Sequence, residues 1–178
     1  MMKKGEKIMG VKAMVSVAVS AMLIFSMGFV RAEKDFMPTI KEFFPKADRV
    51  ENVPVEGSLY MTEYLRVYSG KTLLGYVANV TALGVQDIEM VIGVSPQFTL
   101  VGCKVVEQYE TPLIGGRLLN SKAFWDYLKS LDSKGWDTLS MRDLSAKVDE
   151  VTGATITTSG VVTAIQSAIK EIAASQGK

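Results

Sequence analysis

Residues 13–30 read AMVSVAVSAMLIFSMGFV, eighteen positions without a charge. A helix of that length covers about 27 Å, close to the hydrocarbon thickness of a bilayer. Met9 and Val11 extend the run, with Lys12 placed to snorkel toward the headgroups. Lys3, Lys4, Lys7, Lys12 and Arg31 face a single acid, Glu6, so residues 1–32 carry a net +4. Residues 33–178 hold fifteen Lys/Arg against eighteen Asp/Glu, a net −3, and the overall +1 conceals this polarity. Basic residues ahead of an apolar span stay on the cytoplasmic side, which predicts a cytoplasmic N-terminus and an exported remainder. A cleaved signal peptide is the second reading, because Val30 and Ala32 stand at −3 and −1 of a peptidase site. The run is longer than the roughly 7–15-residue core of a signal peptide, which favours a retained anchor. Both readings export the body of the protein. A buried core helix, the third reading, fits poorly with the flanking lysines.

Composition narrows the chemistry. The 178-residue chain has no histidine and one cysteine, Cys103. That excludes His-based acid/base catalysis, Ser-His-Asp triads, His metal sites, an internal disulfide and a self-contained four-Cys zinc or iron–sulfur site. With 48% hydrophobic and 22% charged residues there is material for a core. A net charge of +1 gives no global field for nucleic acid.

The pattern after the apolar run divides the chain into three parts. Residues 1–32 are the basic end and transmembrane anchor. Residues 33–58 are a linker in which Phe36, Ile40, Phe43 and Phe44 recur at helical spacing, so a short amphipathic helix precedes Pro45. Residues 59–178 are the exported domain. There Leu59–Tyr68, Thr72–Val80, Ile88–Val94 and Thr99–Val106 read as strands. Ser69-Gly70-Lys71 and Ser95-Pro96-Gln97 are the turns between two pairs of them. Helical spacing returns at Ala123, Phe124, Tyr127, Leu128 and Leu131, with Asn120 or Ser121 as cap and Ser133-Lys134-Gly135 as breaker. From Ser159 to about Ala174, one stripe of Val161, Val162, Ile165, Ala168, Ile169 and Ile172 predicts an amphipathic C-terminal helix. Strands in a run with helices at the ends predict an α+β domain, an antiparallel sheet with a packed C-terminal helix.

The stretch Asp149-Glu150-Val151-Thr152-Gly153-Ala154-Thr155-Ile156-Thr157-Thr158-Ser159-Gly160 ends where that helix is expected to begin. In the plain reading it is a capping segment, with Thr157, Thr158 or Ser159 accepting from the first-turn N–H groups. The same physics suits a phosphate: a helix N-terminus offers unpaired donors and partial positive charge. Gly153 admits close backbone approach, and Thr155 adds a hydroxyl.

Asp149-x-x-Thr152-Gly153-Ala154-Thr155 resembles the D-x-x-[S/T]-G-A-T signature of the FMN-binding domain in the G component of Rnf complexes. The C component of sodium-pumping NADH:quinone oxidoreductase is similar. Tyr109-Glu110-Thr111-Pro112-Leu113-Ile114-Gly115-Gly116 resembles the family's E-T-P-G-L-G loop beside the isoalloxazine. Leu113 stands where the family usually has Gly, and Ile114 where it has Leu. The stretch Val101–Glu107 looks like the strand before that loop. Leu74-Gly75-Tyr76-Val77 and Met90-Val91-Ile92-Gly93-Val94 fit upstream, so the likeness covers about residues 60–172.

The resemblance implies FMN carried covalently as a phosphoester on Thr155. It implies cofactor contacts from Thr152, Gly153, Ala154, Thr157 and Thr158 in the signature and from Glu110, Thr111, Leu113 and Ile114 in the loop. It also implies an FAD-dependent flavin transferase and the other proteins of a membrane redox complex as partners. The function implied is electron transfer in an ion-translocating, Rnf-type ferredoxin:NAD+ oxidoreductase, from a single-pass anchor in the plasma or inner membrane. A free-standing exported flavoprotein carrier and a noncatalytic binding module are the alternatives. Trp125 and Trp136 are candidates to stack on a flavin, but an aromatic on a helix suits the core, where Trp125 is expected. Cys103, in an alternating strand, is expected to be a buried small hydrophobe. Glu107 and Glu110 are close enough in sequence to pair as carboxylates. Asp149 and Glu150 suit the helix N-terminus or recognition by the transferase.

Overall fold

The computed structural model describes residues 37–177. The chain divides into two units, Met1–Pro38 and Thr39–Lys178. Of the first, Met37 and Pro38 are described, both helical. The expected membrane span at 13–30 and Phe36 lie outside the described residues. Among the described residues no helix is long and apolar enough to cross a membrane.

The second unit opens with helical residues 39–43 (α1). Five strands follow in one antiparallel sheet whose spatial order is the chain order. They are β1 (Arg49–Pro54), β2 (Glu63–Ser69), β3 (Thr72–Leu83), β4 (Asp87–Val94) and β5 (Leu100–Glu107). Five helices then complete the unit: α2 (Gly115–Leu119), α3 (Lys122–Ser130), α4 (Ser133–Thr138), α5 (Met141–Ser145) and α6 (Thr155–Ser175).

Register sorts the strand residues onto two faces. Tyr76 pairs with Val94, Ala78 with Ile92, Val80 with Met90 and Ala82 with Ile88, all buried. This face receives α6, whose Val161, Ala164, Ile165, Ala168 and Ile172 are buried at helical spacing. Leu118, Phe124, Leu128, Trp136 and Leu144 of the short helices join the same core. Each such buried side chain contributes about 1.5–3 kcal/mol of transfer free energy. The far end of α6 is tied to β2, where Tyr64 Oη lies 2.7 Å from Ser175 Oγ and accepts from Gln176 Nε2 at 2.8 Å.

The opposite face is built from glycines. Val67 pairs with Gly75, Val77 with Gly93, and Gly93 with Gly102. A β-carbon at Gly75 would strike the Phe44 ring, and one at Gly93 or Gly102 would strike the Phe43 ring. Phe43 at the end of α1 and Phe44 just after it therefore fill the space these glycines leave. Ile40, Phe44, Ala47, Val50, Val67, Val77 and Val91 form the buried apolar set on this side.

Several local expectations change. Arg49–Pro54 is a strand within the stretch read as linker, while β2 begins at Glu63 and Leu59 is 85% exposed. Ser121 is the α3 cap, accepting from Phe124 N–H at 3.2 Å. The helix expected to break at Ser133-Lys134-Gly135 does end there, with α3 stopping at Ser130, but those three residues start α4, because Asp132 accepts from Gly135 N–H at 2.7 Å. Trp136 is the buried tryptophan; Trp125 is half-buried, donating from Nε1 to Leu119 O at 2.8 Å. Cys103, expected to be buried, is half-buried and packs against the edge of the core, and desolvation of its sulfur pushes its thiol up.

Candidate functional site

The helix α6 begins at Thr155, four residues before the sequence expectation. Ahead of it, Asp149–Val151 form a 3-10 turn. Thr152 N–H donates to Asp149 O at 3.1 Å and Ala154 N–H to Val151 O at 3.1 Å. Between them Gly153 adopts φ +91°, with open space where a β-carbon would stand. That left-handed step aims the chain into the helix at no steric cost. Ala154 is the N-cap, and no side chain caps this end. The capping role expected of Thr157, Thr158 or Ser159 is therefore not observed. The first helical bond runs from Thr158 N–H to Ala154 O at 2.9 Å. The N–H groups of Thr155, Ile156 and Thr157 have no helical carbonyl to reach, and they carry the positive end of a 21-residue helix.

The threonines of this turn part company. Thr152 and Thr155 are exposed, whereas Thr157 and Thr158 are buried. Thr158 Oγ1 donates to Ala154 O at 2.8 Å. Thr157 Oγ1 donates to Glu110 Oε2 at 2.5 Å, joining residues 47 apart in sequence. Glu110 is 5% exposed, and its other oxygen accepts from Val85 N–H at 2.8 Å and Gln86 N–H at 3.4 Å. Three donors thus meet one buried carboxylate, which offsets its desolvation. A β-carbon at Gly84 or Gly115 would overlap that carboxylate, and one at Gly160 would overlap the Leu83 carbonyl. Glu110 does not pair with Glu107, which instead accepts from the Tyr109 hydroxyl and thereby raises that phenol's pKa.

The loop after Glu110 turns back on itself. Thr111 O accepts from Ile114 N–H and Gly116 N–H, both at 3.0 Å, and α2 follows, packed against α6. Thr111, Leu113 and Ile114 face solvent, with Leu113 85% exposed. Leu83 and Val85 at the β3–β4 turn and Ile156 in α6 are exposed as well. An open cavity of about 420 Å3 lies beside the first turns of α6, lined by Tyr60, Leu83, Thr155, Ile156, Ser159 and Thr163. Of these, sequence reasoning assigned a ligand role to Thr155 alone. The spacing of Thr155, Ser159 and Thr163 at every fourth residue was a readable signal of one hydroxyl-bearing helix stripe. Leu83 and Val85 had no sequence signal beyond apolar residues at a turn. Among the described residues no cluster of His, Cys, Asp and Glu is placed to hold a metal ion.

This chemistry suits an anion joined to an apolar ring: free backbone donors and an exposed hydroxyl lie beside solvent-facing aliphatic side chains. Residues 84–170 match the FMN-binding domain. Over 148 residues the chain is 30% identical to the G component of the ion-translocating oxidoreductase complex of Methanosarcina acetivorans, covering 82% of this chain and 76% of that protein.

Proposed function

Because the chain belongs to the FMN-binding G-component family of ion-translocating oxidoreductase complexes, we propose that it carries FMN covalently on Thr155 and relays electrons between the other proteins of such a complex. The observation that carries this reading is Thr155 itself, an exposed hydroxyl at the first position of an uncapped 21-residue helix. Thr157 and Thr158 are buried with their hydroxyls hydrogen-bonded within the fold, and exposed Thr152 stands ahead of the helix rather than on it.

The chain's residues take distinct tasks. Thr155 Oγ1 forms a P–O bond to the FMN-side phosphorus of FAD, the pyrophosphate bridge breaks, AMP leaves and one proton is released. An FAD-dependent flavin transferase performs that exchange on the exported side. The resulting phosphodiester keeps one negative charge, which the free N–H groups of Thr155 and Ile156 hold. Gly153 admits the phosphate to the backbone, with Thr152 and Ala154 shaping the approach. Leu113 and Ile114 on one side, with Leu83, Val85 and Ile156, offer apolar surface to the ring. When bound, FMN supplies the electron chemistry, and the protein supplies attachment, orientation and electrostatics. Attachment also replaces diffusional capture by a high effective concentration near the partners. The segment 13–30 anchors the domain in the membrane with its N-terminus cytoplasmic and the flavin domain exported.

The test is direct. Co-expressed with a flavin transferase, the wild-type band on a denaturing gel fluoresces under ultraviolet light, and Thr155→Val does not. A dark wild-type band would refute covalent attachment. Fluorescence surviving in Thr155→Val would place it elsewhere, with exposed Ser159 the first residue to test and buried Thr157 and Thr158 the last.

A further inference from the structure

Five of the large apolar side chains that face solvent sit on three separate segments: Leu83 and Val85 on the β3–β4 turn, Leu113 and Ile114 on the loop before α2, Ile156 on α6. All three segments converge on one group. Glu110 leads directly into the loop, its Oε1 accepts from Val85 N–H at 2.8 Å, and its Oε2 accepts from Thr157 Oγ1 at 2.5 Å. Glycines at 84 and 115 leave room for this carboxylate, which a β-carbon at either position would overlap. We infer that Glu110, acting through Thr157 and the Val85 amide, is a positioning residue that sets the spacing of the apolar side chains around a flavin held on Thr155. This inference rests on the proposed flavin attachment and gives Glu110 a part in it that needs no contact with the flavin.

The physical case is one of geometry. Thr157 lies two residues after Thr155, so its side chain points into the fold while that of Thr155 points out. A charge-assisted hydrogen bond to a carboxylate is directional and about twice as strong as a neutral one. It therefore fixes the rotation and depth of the first turn of α6 against the β3–β4 turn. Removing either partner leaves a buried polar group unpaired, and the first turn relaxes relative to the loop. Thr155 stays exposed in that relaxed state, so attachment survives while the ring's surroundings change.

The experiment uses the full chain loaded by a flavin transferase, in the wild type, Glu110→Gln, Thr157→Val, Thr157→Ser and the double Glu110→Gln/Thr157→Val. Each is read by in-gel fluorescence, far-ultraviolet circular dichroism, and the flavin's visible circular dichroism and midpoint potential. Glu110→Gln and Thr157→Val are expected to fold and fluoresce as covalent adducts, with an altered visible dichroic band and a shifted potential. Thr157→Ser, which keeps the hydroxyl, is expected to match the wild type. The double variant should change less than the sum of the two single ones, because the Glu110–Thr157 bond is common to both. Wild-type flavin spectra and potential in folded Glu110→Gln and Thr157→Val would overturn the inference. So would failure of Glu110→Gln to fold, which would make the carboxylate purely a scaffold group, or a Thr157→Ser shift as large as that of Thr157→Val. A dark wild-type band would instead overturn the attachment reading.

Discussion

On the far face of the sheet, Gly75, Gly93 and Gly102 make room for the rings of Phe43 and Phe44. At the head of α6, Gly84 and Gly115 make room for the Glu110 carboxylate, and Gly160 for the Leu83 carbonyl. Both regions are carved by omitting β-carbons, yet they end differently. The first is closed by the chain's own apolar rings, with Phe44 8% exposed. The second encloses a polar hub and leaves aliphatic side chains outside it in water. An interior filled with hydrocarbon is a device for stability. A rim held by a buried carboxylate, with apolar groups facing solvent, costs stability and has meaning only if something covers it.

The two regions should separate cleanly under mutation. The largest effect belongs to Thr155→Val, which abolishes covalent flavin altogether. Because Thr155 is exposed and caps nothing, urea unfolding of this variant should stay within about 0.5 kcal/mol of the flavin-free parent. A loss of several kcal/mol would mean that the rim is part of the core after all.

Phe44→Ala should show the converse. Truncating a buried phenyl ring costs about 3 kcal/mol, while flavin loading on Thr155 continues. Cys103 reports whether the two faces unfold together. Its half-buried thiol packs on the α6 side, and burial raises its pKa, so native labelling by a disulfide reagent should be slow. If labelling needs global unfolding, Phe44→Ala should speed it about a hundredfold, the equivalent of about 3 kcal/mol. An unchanged rate would show that the α6 face opens independently.

Much of this division was legible in the sequence. Alternating branched residues placed β3, β4 and β5 within a few positions, and the stripe from Val161 to Ile172 gave the buried face of α6. β1 was missed because Arg49-Val50-Glu51-Asn52-Val53-Pro54 has little apolar content and, as an edge strand, buries fully only Val50. The start of α6 was placed late because Thr155-Ile156-Thr157-Thr158 is a β-branched run of low helix propensity. Tertiary bonds override that propensity, one of them from Thr157 to Glu110. The Glu110 hub itself was invisible, since its partners lie 25 and 47 residues away. The motif pointed to Glu110 as a residue near the ring; only the fold reveals which donors occupy its carboxylate.

The smallest expected effect decides whether the rim is used. Leu113 and Ile156 already face solvent, 85% and 63% exposed, so Leu113→Ser and Ile156→Ser remove little buried surface. In the flavin-free Thr155→Val background each should change stability by less than about 0.5 kcal/mol. In the loaded protein, a side chain lying against the flavin loses that contact, and the same substitution should cost about 1 kcal/mol more. Urea unfolding of the four combinations for each residue measures the difference as a coupling between the side chain and the attached group. Coupling at Leu113 and Ile156 would make the rim the ring's seat. Equal costs in both backgrounds would leave Thr155 as a tether from which the flavin extends freely, and the apolar rim would then need another occupant.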